Sequence, residues 1–236
     1  MRVRLLLLGG LALLATLPAQ IVALVAERAC AGHCRIADSH GSAWRGGGRL
    51  FLRSGERWFA LGAIDWRLPA PDAYLRLRLD GGEIAWPALR RIEIDGIAVP
   101  AAAILGQPAL QLPAGEWQGT LRLGPTRLQL DADWPPRLAA GGRVDWRQAA
   151  SPLLAGEALG DYRLDWEFDG RQGLRGNFAG GRRPAIAGEG QIADGRIEAV
   201  VSLDDTVRST LGPYLGLLGQ PVPGRPDAWK VSLGLD

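Results

Sequence analysis

The sequence predicts an all-β protein, mainly antiparallel, in which many short strands form a curved or folded-over sheet, with an N-terminal transmembrane helix and a short C-terminal helix. Three observations predict this class. Apolar and polar residues alternate with a period of two along much of the chain after Arg35. Asp-Gly and Gly-Gly pairs separate the alternating runs, and such pairs are typical of tight hairpins. The 236 residues include 33 Gly and 16 Pro, a content that favours turns over long helices.

The first element is an apolar run over residues 5–26, which carries no charged side chain. A helix rises about 1.5 Å per residue, so this run is long enough to cross a hydrocarbon core of about 30 Å. Arg2 and Arg4 precede the run, so residues 1–4 are expected in the cytoplasm and the rest of the chain beyond the inner membrane. The sequence thus predicts a single-pass signal anchor.

A cleaved signal peptide is the alternative interpretation of this run. Ala29-Cys30-Ala31 fits the small-x-small pattern of a cleavage site. However, the run is longer than the ~7–15 residues of an ordinary signal core, and the charged pair Glu27-Arg28 stands just before the site. Both features favour an uncleaved anchor. Under either interpretation the bulk of the chain is periplasmic.

Residues 27–40 form a juxtamembrane segment that holds both cysteines and both histidines of the chain. Cys30 and Cys34 lie in an oxidising compartment, so a structural disulfide, or two idle thiols, is favoured. Together with His33 and His40 they could form a four-ligand zinc set, but the spacing matches no zinc motif and export favours oxidised sulfur. No metal site is predicted.

Residues 41–236 are predicted to form one periplasmic β-rich domain. Its strands have one apolar and one wet face, which suits antiparallel sheets. In the alternating run 74–80, the leucines, Leu75 and Leu77 among them, are expected to share the inner face of the sheet. The clearest alternating runs are YLRLRLD (74–80), RRIEIDG (90–96), TLRLGPTRLQLDADW (120–134), GRIEAVVSLD (195–204) and WKVSLGLD (229–236).

An Asp-Trp pair recurs three times in these strands, at 65–66, 145–146 and 165–166. Adjacent residues of a strand point to opposite faces, so the two side chains of a pair cannot act on one ligand. The carboxylate is expected to face water or a cross-strand arginine, and the indole to pack inward. The aromatic residues assigned to the core or to a groove are Trp44, Trp66, Trp146, Tyr162 and Trp166.

The spacing of four tryptophans suggests two similar halves within the domain. Trp66 and Trp86 are 20 residues apart, as are Trp146 and Trp166. Duplication of a hairpin unit would produce this spacing, and chance among nine Trp is the alternative.

A short helix is predicted over residues 204–218. Acidic residues stand at its start, where they oppose the positive end of the helix dipole. Gly212 and Pro213 limit its length.

Charge and composition exclude several classes of function. Without the arginines at positions 2 and 4, the chain has 25 basic and 25 acidic residues, interspersed, so no basic surface for nucleic acid is expected. Both histidines lie beside the membrane, no G-x-S-x-G occurs, and the single lysine, Lys230, does not belong to a phosphate-binding loop. GEGQIA at 188–193 mimics a dinucleotide fingerprint but lies among strand signals, which indicates a turn. The sequence predicts neither catalytic residues nor a cofactor, and therefore no enzyme.

The order of several packing motifs resembles the N component of the bacterial type II secretion system, also called general secretion pathway protein N. These motifs are GSAWRGG at 41–47 with Gly41, Trp44 and Gly46, IDWRL at 64–68 around Trp66, and GRVDWRQAASPLLAGEALGDYRLDW at 142–166 with Trp146, Gly160 and Tyr162. The resemblance covers nearly the whole chain. The cluster of Cys30, His33 and Cys34 departs from the family pattern.

The resemblance implies an accessory inner-membrane component of a machine that exports folded periplasmic proteins across the outer membrane. Its expected partners are the secretin and the inner-membrane C component, with which it would act through protein–protein contacts. The family is also similar to the AsmA-like group, whose curved sheets form a groove suited to lipid. This second likeness is an analogy of fold and does not by itself assign a function.

Two functions therefore compete: an adaptor between secretion proteins, and a protein that binds or guides lipid. The inner face of the sheet distinguishes them. A closed core filled by Leu75, Leu77, Trp146 and Trp166 favours the adaptor. An open, continuous apolar groove lined by these residues favours lipid, because monomers rarely expose large apolar patches.

Overall fold

The structure is a computed structural model that describes residues 16–107, 115–130, 138–152, 159–169, 173–180, 186–193, 196–205, 208–209, 212–213, 216 and 219–234. These residues confirm the all-β class. They form sixteen strands in a single antiparallel sheet.

The strands are numbered in chain order: β1 (Cys34–Gly41), β2 (Arg45–Ser54), β3 (Arg57–Arg67), β4 (Leu75–Leu79), β5 (Gly82–Ala88), β6 (Arg91–Asp95), β7 (Ala98–Pro100), β8 (Gln118–Leu123), β9 (Thr126–Leu130), β10 (Leu138–Ala150), β11 (Gly160–Asp169), β12 (Gly173–Gly180), β13 (Ile186–Ala193), β14 (Arg196–Leu203), β15 (Gly219–Val222) and β16 (Arg225–Gly234). Two helices have full bounds among the described residues, α1 (Ala19–Ala29) and α2 (Ala101–Leu105).

The sheet is a long meander in which nearly every strand pairs with its neighbour in sequence. Its order is β1 to β6, then β9 to β14, then β16 and β15. The Asp80-Gly81 turn joins the paired strands β4 and β5, as a two-residue hairpin does. Asp95-Gly96 instead leads from β6 into β7, which pairs with β8. The long strand β10 has two partners along one side: β9 pairs with its first part and β8 with its second part.

Residues 96–105, which include β7 and α2, fold over the inner face of the first strands and close a core there. This N-terminal core contains the buried residues Leu61, Ile64, Leu79, Ile97 and Ala103, the last of which belongs to α2. Residues 96–97 cross directly over Gly82 of β5, where only a glycine fits. A Cβ added at Gly82 would lie 2.5 Å from the backbone nitrogen of Ile97, which is too close for any side chain.

A second core lies at the other end of the meander. This C-terminal core contains the buried residues Ala149, Leu159, Tyr162, Leu203 and Trp229. Helical backbone occurs within the predicted segment 204–218 at Asp205, Arg208, Ser209, Gly212, Pro213 and Gly216. A Cβ at Gly212 would lie 3.7 Å from the ring of Trp229, so Gly212 lies against the second core.

β-Bulges in β3 and β10 interrupt the strict alternation of side chains. In β3 the pairing with β2 skips Leu61, and Gly62 takes a φ of +117°, so Leu61 and Ile64 both face the N-terminal core. In β10 the register shifts after Trp146, and Gln148 takes a φ of +51°. This shift turns the fully buried Ala149 toward the C-terminal core.

The N-terminal segment differs from a single helix over 5–26. Pro18 is extended, with φ −75° and ψ 155°, and α1 begins only at Ala19, because proline lacks the N–H that a helix interior requires. Residues 1–15, including the predicted cytoplasmic residues 1–4, lie outside the described part of the chain. Among the described residues, no helix combines the length and the apolar character needed to cross a membrane.

The tryptophan spacing does not correspond to a repeated unit of structure. Trp66 lies in β3 and Trp86 in β5, so one strand separates them, whereas Trp146 and Trp166 lie in the neighbouring strands β10 and β11. Trp66 is 4% exposed and Trp86 is 37% exposed. The two pairs are thus placed differently.

Candidate functional site

The candidate site begins with a row of small residues across the inner face of four adjacent strands. The register aligns Trp166 of β11 with Gly176 of β12, Gly176 with Gly190 of β13, and Gly190 with Ala199 of β14. Beside one indole ring, this row therefore carries two positions without a side chain and one methyl group.

Larger apolar side chains stand on both sides of this row, and together they enclose a concave surface. Phe178 and Val201 lie in the neighbouring row, where each pairs with Gly188, and Leu174 lies on the other side. The resulting concavity, here called the glycine groove, has a volume of ≈ 540 Å³. Its apolar lining is Val144, Leu164, Trp166, Leu174, Gly176, Phe178, Gly188, Gly190, Ala199 and Val201.

The glycines are what keep the groove free of side chains. A Cβ at Gly176 would lie 3.2 Å from Cδ1 of Leu164, and a Cβ at Gly190 would lie 3.1 Å from Cβ of Ala199. Glycine weakens a strand interior and often marks a place where another group approaches the backbone closely. The floor of the groove is accordingly backbone, over which an elongated apolar molecule can lie.

The interpretation of GEGQIA as a turn was wrong, because these residues belong to strand β13. Gly188 and Gly190 both face the groove, since residues two apart in a strand share a face. Sequence reasoning missed them because glycines between alternating stretches usually indicate turns. The signal that could have found them is the Gly-x-Gly spacing inside an alternating stretch.

The aspartates of the Asp-Trp pairs lie on the opposite, polar face, as predicted. Nε of Arg143 donates to Oδ1 of Asp165 at 2.6 Å, and Nε of Arg163 donates to Oδ1 of Asp145 at 2.9 Å. The hydrogen bond from Arg163 to Asp145, together with the charge of that carboxylate, raises the pKa of Arg163 above its ordinary value. Both pairs are cross-strand contacts in adjacent strands and stabilise the sheet only weakly, because water screens exposed ion pairs.

A second concavity of ≈ 720 Å³ lies over this polar face. The polar residues of its lining are four carboxylates, two cations and two amides: Asp165, Glu167, Glu189, Glu198, Arg175, Lys230, Asn177 and Gln191. Trp166, Gly176, Gly190 and Ala199 of the groove border it as well. Opposite charges are interspersed along it, so it forms no single-sign field for a charged ligand.

Two of the predicted aromatic residues connect the groove to the C-terminal core. Tyr162 is 4% exposed and stacks on Phe178, with ring centroids 4.9 Å apart and planes within 2°. Trp146 packs beside Tyr162 at 6.2 Å and donates from Nε1 to the backbone oxygen of Gln118 at 2.9 Å. Burial raises the pKa of the Tyr162 hydroxyl above its ordinary value of 10.0. The half-buried Trp166 lines the groove itself.

The remaining two predicted aromatics lie far from the groove. Trp66 is 4% exposed and donates from Nε1 to the backbone oxygens of Ser42 and Ala43, both at 3.2 Å. Trp44 is 41% exposed, so it belongs to neither the core nor the groove. The sequence could not separate these two residues, because both stand next to a glycine-rich or alternating stretch and only the packing decides their burial.

The cysteines and histidines of residues 27–40 form no ligand set. Cys30 and Cys34 are joined by a disulfide, which leaves no thiolate for a metal. Nδ1 of His40 lies 3.1 Å from the backbone oxygen of Asp38. In the part of the chain that the structure describes, no group of three or more His, Cys, Asp and Glu side chains is arranged to hold a metal ion.

The predicted leucines Leu75 and Leu77 both lie in β4, in the N-terminal half of the sheet. Leu77 packs against the N-terminal core, and Leu75 is half-buried opposite Trp86. Neither lines the groove, which is built from β10 to β14 alone.

Comparison with protein-family models, with curated proteins and with solved structures finds no match to this chain.

Proposed function

We propose that this protein binds the acyl chain of a lipid in the glycine groove and carries or guides that lipid on the periplasmic side of the inner membrane. The observation that supports the proposal is the apolar concavity of ≈ 540 Å³ on the inner sheet face. Ligand pockets typically span about 300–1,000 Å³ and are mostly apolar.

The contrast between the two halves of the sheet supports a ligand rather than a closed core. The connection through β7, α2 and β8 covers the inner face of the first strands. The core beneath this cover contains buried side chains such as Leu61, Ile64 and Leu79. The groove lining contains none, and Val144, Leu164, Trp166 and Phe178 are half-buried. Hydrocarbon placed over this lining is favourable, because it removes apolar surface from water.

The proposal is tested by filling the groove with a side chain. Ala199→Phe places a ring on the groove floor, whereas Val200→Phe places the same ring on the opposite face of the same strand, which makes it a matched control. Full-length protein is reconstituted in phospholipid vesicles that contain a photoactivatable acyl chain, and labelled peptides are mapped by mass spectrometry. Wild type and Val200→Phe should be labelled within 164–178 and 188–201.

In Ala199→Phe, labelling of these peptides should fall about ten-fold or more, the change that 1.4 kcal/mol of lost affinity produces. An unchanged urea midpoint would show that the variant is folded. Equal labelling of both variants, or labelling confined to residues 1–29 in wild type, would overturn the proposal.

A second candidate function is that of an accessory component of type II secretion, acting as an adaptor. It rests on the resemblance of the sequence motifs, two of which form one packing unit in the fold. A Cβ at Gly46 would lie 2.6 Å from Cζ2 of Trp66, and this ring is held by the backbone of Ser42 and Ala43. GSAWRGG and IDWRL are thus parts of a single corner of the fold.

The adaptor function is tested in living cells by a photo-crosslinking residue in place of the exposed Trp58. Capture of the secretin or of the inner-membrane C component is the expected result. Intact secretion in a deletion strain, together with no crosslink to either protein, would reject this function. Neither candidate function assigns a catalytic role to any residue.

A further inference from the structure

Along one side of the sheet, the ends of neighbouring strands carry a set of exposed aromatic and apolar side chains. This edge of strand ends, here called the aromatic end, is where β3 and β5 end and where β2, β4 and β6 begin. Its exposed residues are Trp44 (41% exposed), Tyr74 (53%), Trp86 (37%) and Leu89 (73%).

Backbone hydrogen bonds show that these residues lie on neighbouring segments. The nitrogen of Leu68, in the loop after β3, donates to the oxygen of Trp44 at 2.7 Å. The nitrogen of Tyr74 donates to the oxygen of Trp86 at 2.9 Å. The exposed residues therefore belong to one continuous edge of the fold.

The N-terminal segment joins the fold at this same edge. The nitrogen of Ala43 donates to the oxygen of Leu17 at 2.8 Å, and Pro18 forms a bridge with Ser42. Thr16 thus lies next to the segment that carries Trp44. The residues that precede it, 5–15, are uncharged and almost entirely apolar in sequence.

The charge of the aromatic end differs from that of the opposite edge. Segments 41–45, 67–75 and 86–91 contain four arginines and a single aspartate. At the opposite edge, segments 28–34, 53–58, 79–83 and 95–97 contain three arginines and four carboxylates. Within these segments the net charge is thus +3 at the aromatic end and −1 at the opposite edge. Arg91 is ion-paired with Glu93 at 3.3 Å.

We infer that the aromatic end docks on the surface of an anionic lipid bilayer, beside the point where residues 5–15 meet the fold. Trp and Tyr are favoured at the level of the lipid headgroups, because their rings are apolar and their N–H and O–H groups are polar. Arginines near an anionic surface are attracted to it within a Debye length. The inference does not rest on the glycine groove, since the two surfaces share no residue.

The position of the rings is tested by fluorescence quenching. Full-length protein is reconstituted in vesicles of phosphatidylethanolamine and phosphatidylglycerol, with and without a phospholipid brominated near the headgroup, which quenches tryptophan on contact. The double variant Trp44→Phe/Trp86→Phe should lower the quenched fraction of the emission at least about two-fold, because two rings in the interface are removed. Trp58→Phe is the matched control, since Trp58 is 44% exposed at the opposite edge, and it should not lower that fraction.

A quenched fraction that persists in the double variant, or that falls equally in Trp58→Phe, would overturn the inference. Pairing of the aromatic end with a second copy of the chain would also overturn the inference. In that case chemical crosslinks would join residues 74–89 of two molecules, and the double variant and wild type would be quenched equally.

Amide exchange of the wild-type protein provides a reading without any substitution. Segments 67–75 and 86–91 should exchange more slowly in vesicles with phosphatidylglycerol than in vesicles of phosphatidylcholine alone. The reason is that the arginines have an anionic lipid partner only in the vesicles with phosphatidylglycerol. Segments 53–58 and 79–83 should exchange equally in both. Equal exchange of all four segments would contradict docking.

Discussion

Replacement of Trp66 by alanine is expected to lower the free energy of unfolding by about 3–5 kcal/mol, the usual loss for a large buried aromatic side chain. Trp66 is 4% exposed, its Nε1 bonds to two backbone oxygens, and Gly46 lacks a side chain so that the ring fits. Removal of the ring therefore creates a cavity and also leaves the oxygens of Ser42 and Ala43 without this donor. Urea unfolding of the full chain in mild detergent, followed by circular dichroism, measures the loss.

Trp58→Ala is the matched control for this prediction. The same ring is removed, but Trp58 is 44% exposed and lies at the opposite end of strand β3. Substitutions at such surface positions usually change stability by less than about 0.5 kcal/mol. Equal urea midpoints for the two variants would contradict the buried position of Trp66.

Leu203→Ala should lower the free energy of unfolding by about 2–5 kcal/mol through loss of packing in the C-terminal core. Leu203 is 2% exposed and lies in one cluster with Tyr162 and Trp229. Its side chain fills the space between β14 and the rings of its neighbours, so the truncated side chain leaves a cavity. The measurement is again the urea midpoint, with near-ultraviolet circular dichroism to follow the aromatic environment.

Leu89→Ala serves as the control here, because it removes the same atoms from a side chain that is 73% exposed. In detergent without vesicles it should leave the midpoint nearly unchanged. A wild-type midpoint for Leu203→Ala would show that the second core is not formed as described.

The two proposals assign separate tasks to separate surfaces of one sheet. The glycine groove offers an apolar floor without side chains, whereas the aromatic end offers rings and arginines suited to a headgroup layer. Filling the groove should leave the docking intact, and removal of the rings at the aromatic end should leave the groove intact. The two experiments can therefore fail independently.

Most of the strands could be predicted from the sequence, because alternation is a local property of an extended chain. Leu75, Leu77 and Leu79 share a face in β4 and their arginine neighbours face away, as the period of two requires. The same argument correctly separated each Asp from its Trp. Alternation does not continue through a bulge, as at Leu61 and Gln148, and the position of a bulge cannot be predicted locally because it depends on the partner strand.

The sequence alone determined the antiparallel meander, the opposite faces of the Asp-Trp pairs and the cysteine pair available for a disulfide, because turn chemistry and alternation act over a few residues. Only the tertiary structure decided which tryptophans are buried and that Gly176, Gly190 and Ala199 stand side by side. These positions come from three different strands, and their alignment depends on the register between strands. A shift of one residue would turn every side chain to the other face, so the groove exists only because pairing along the whole sheet selects one register.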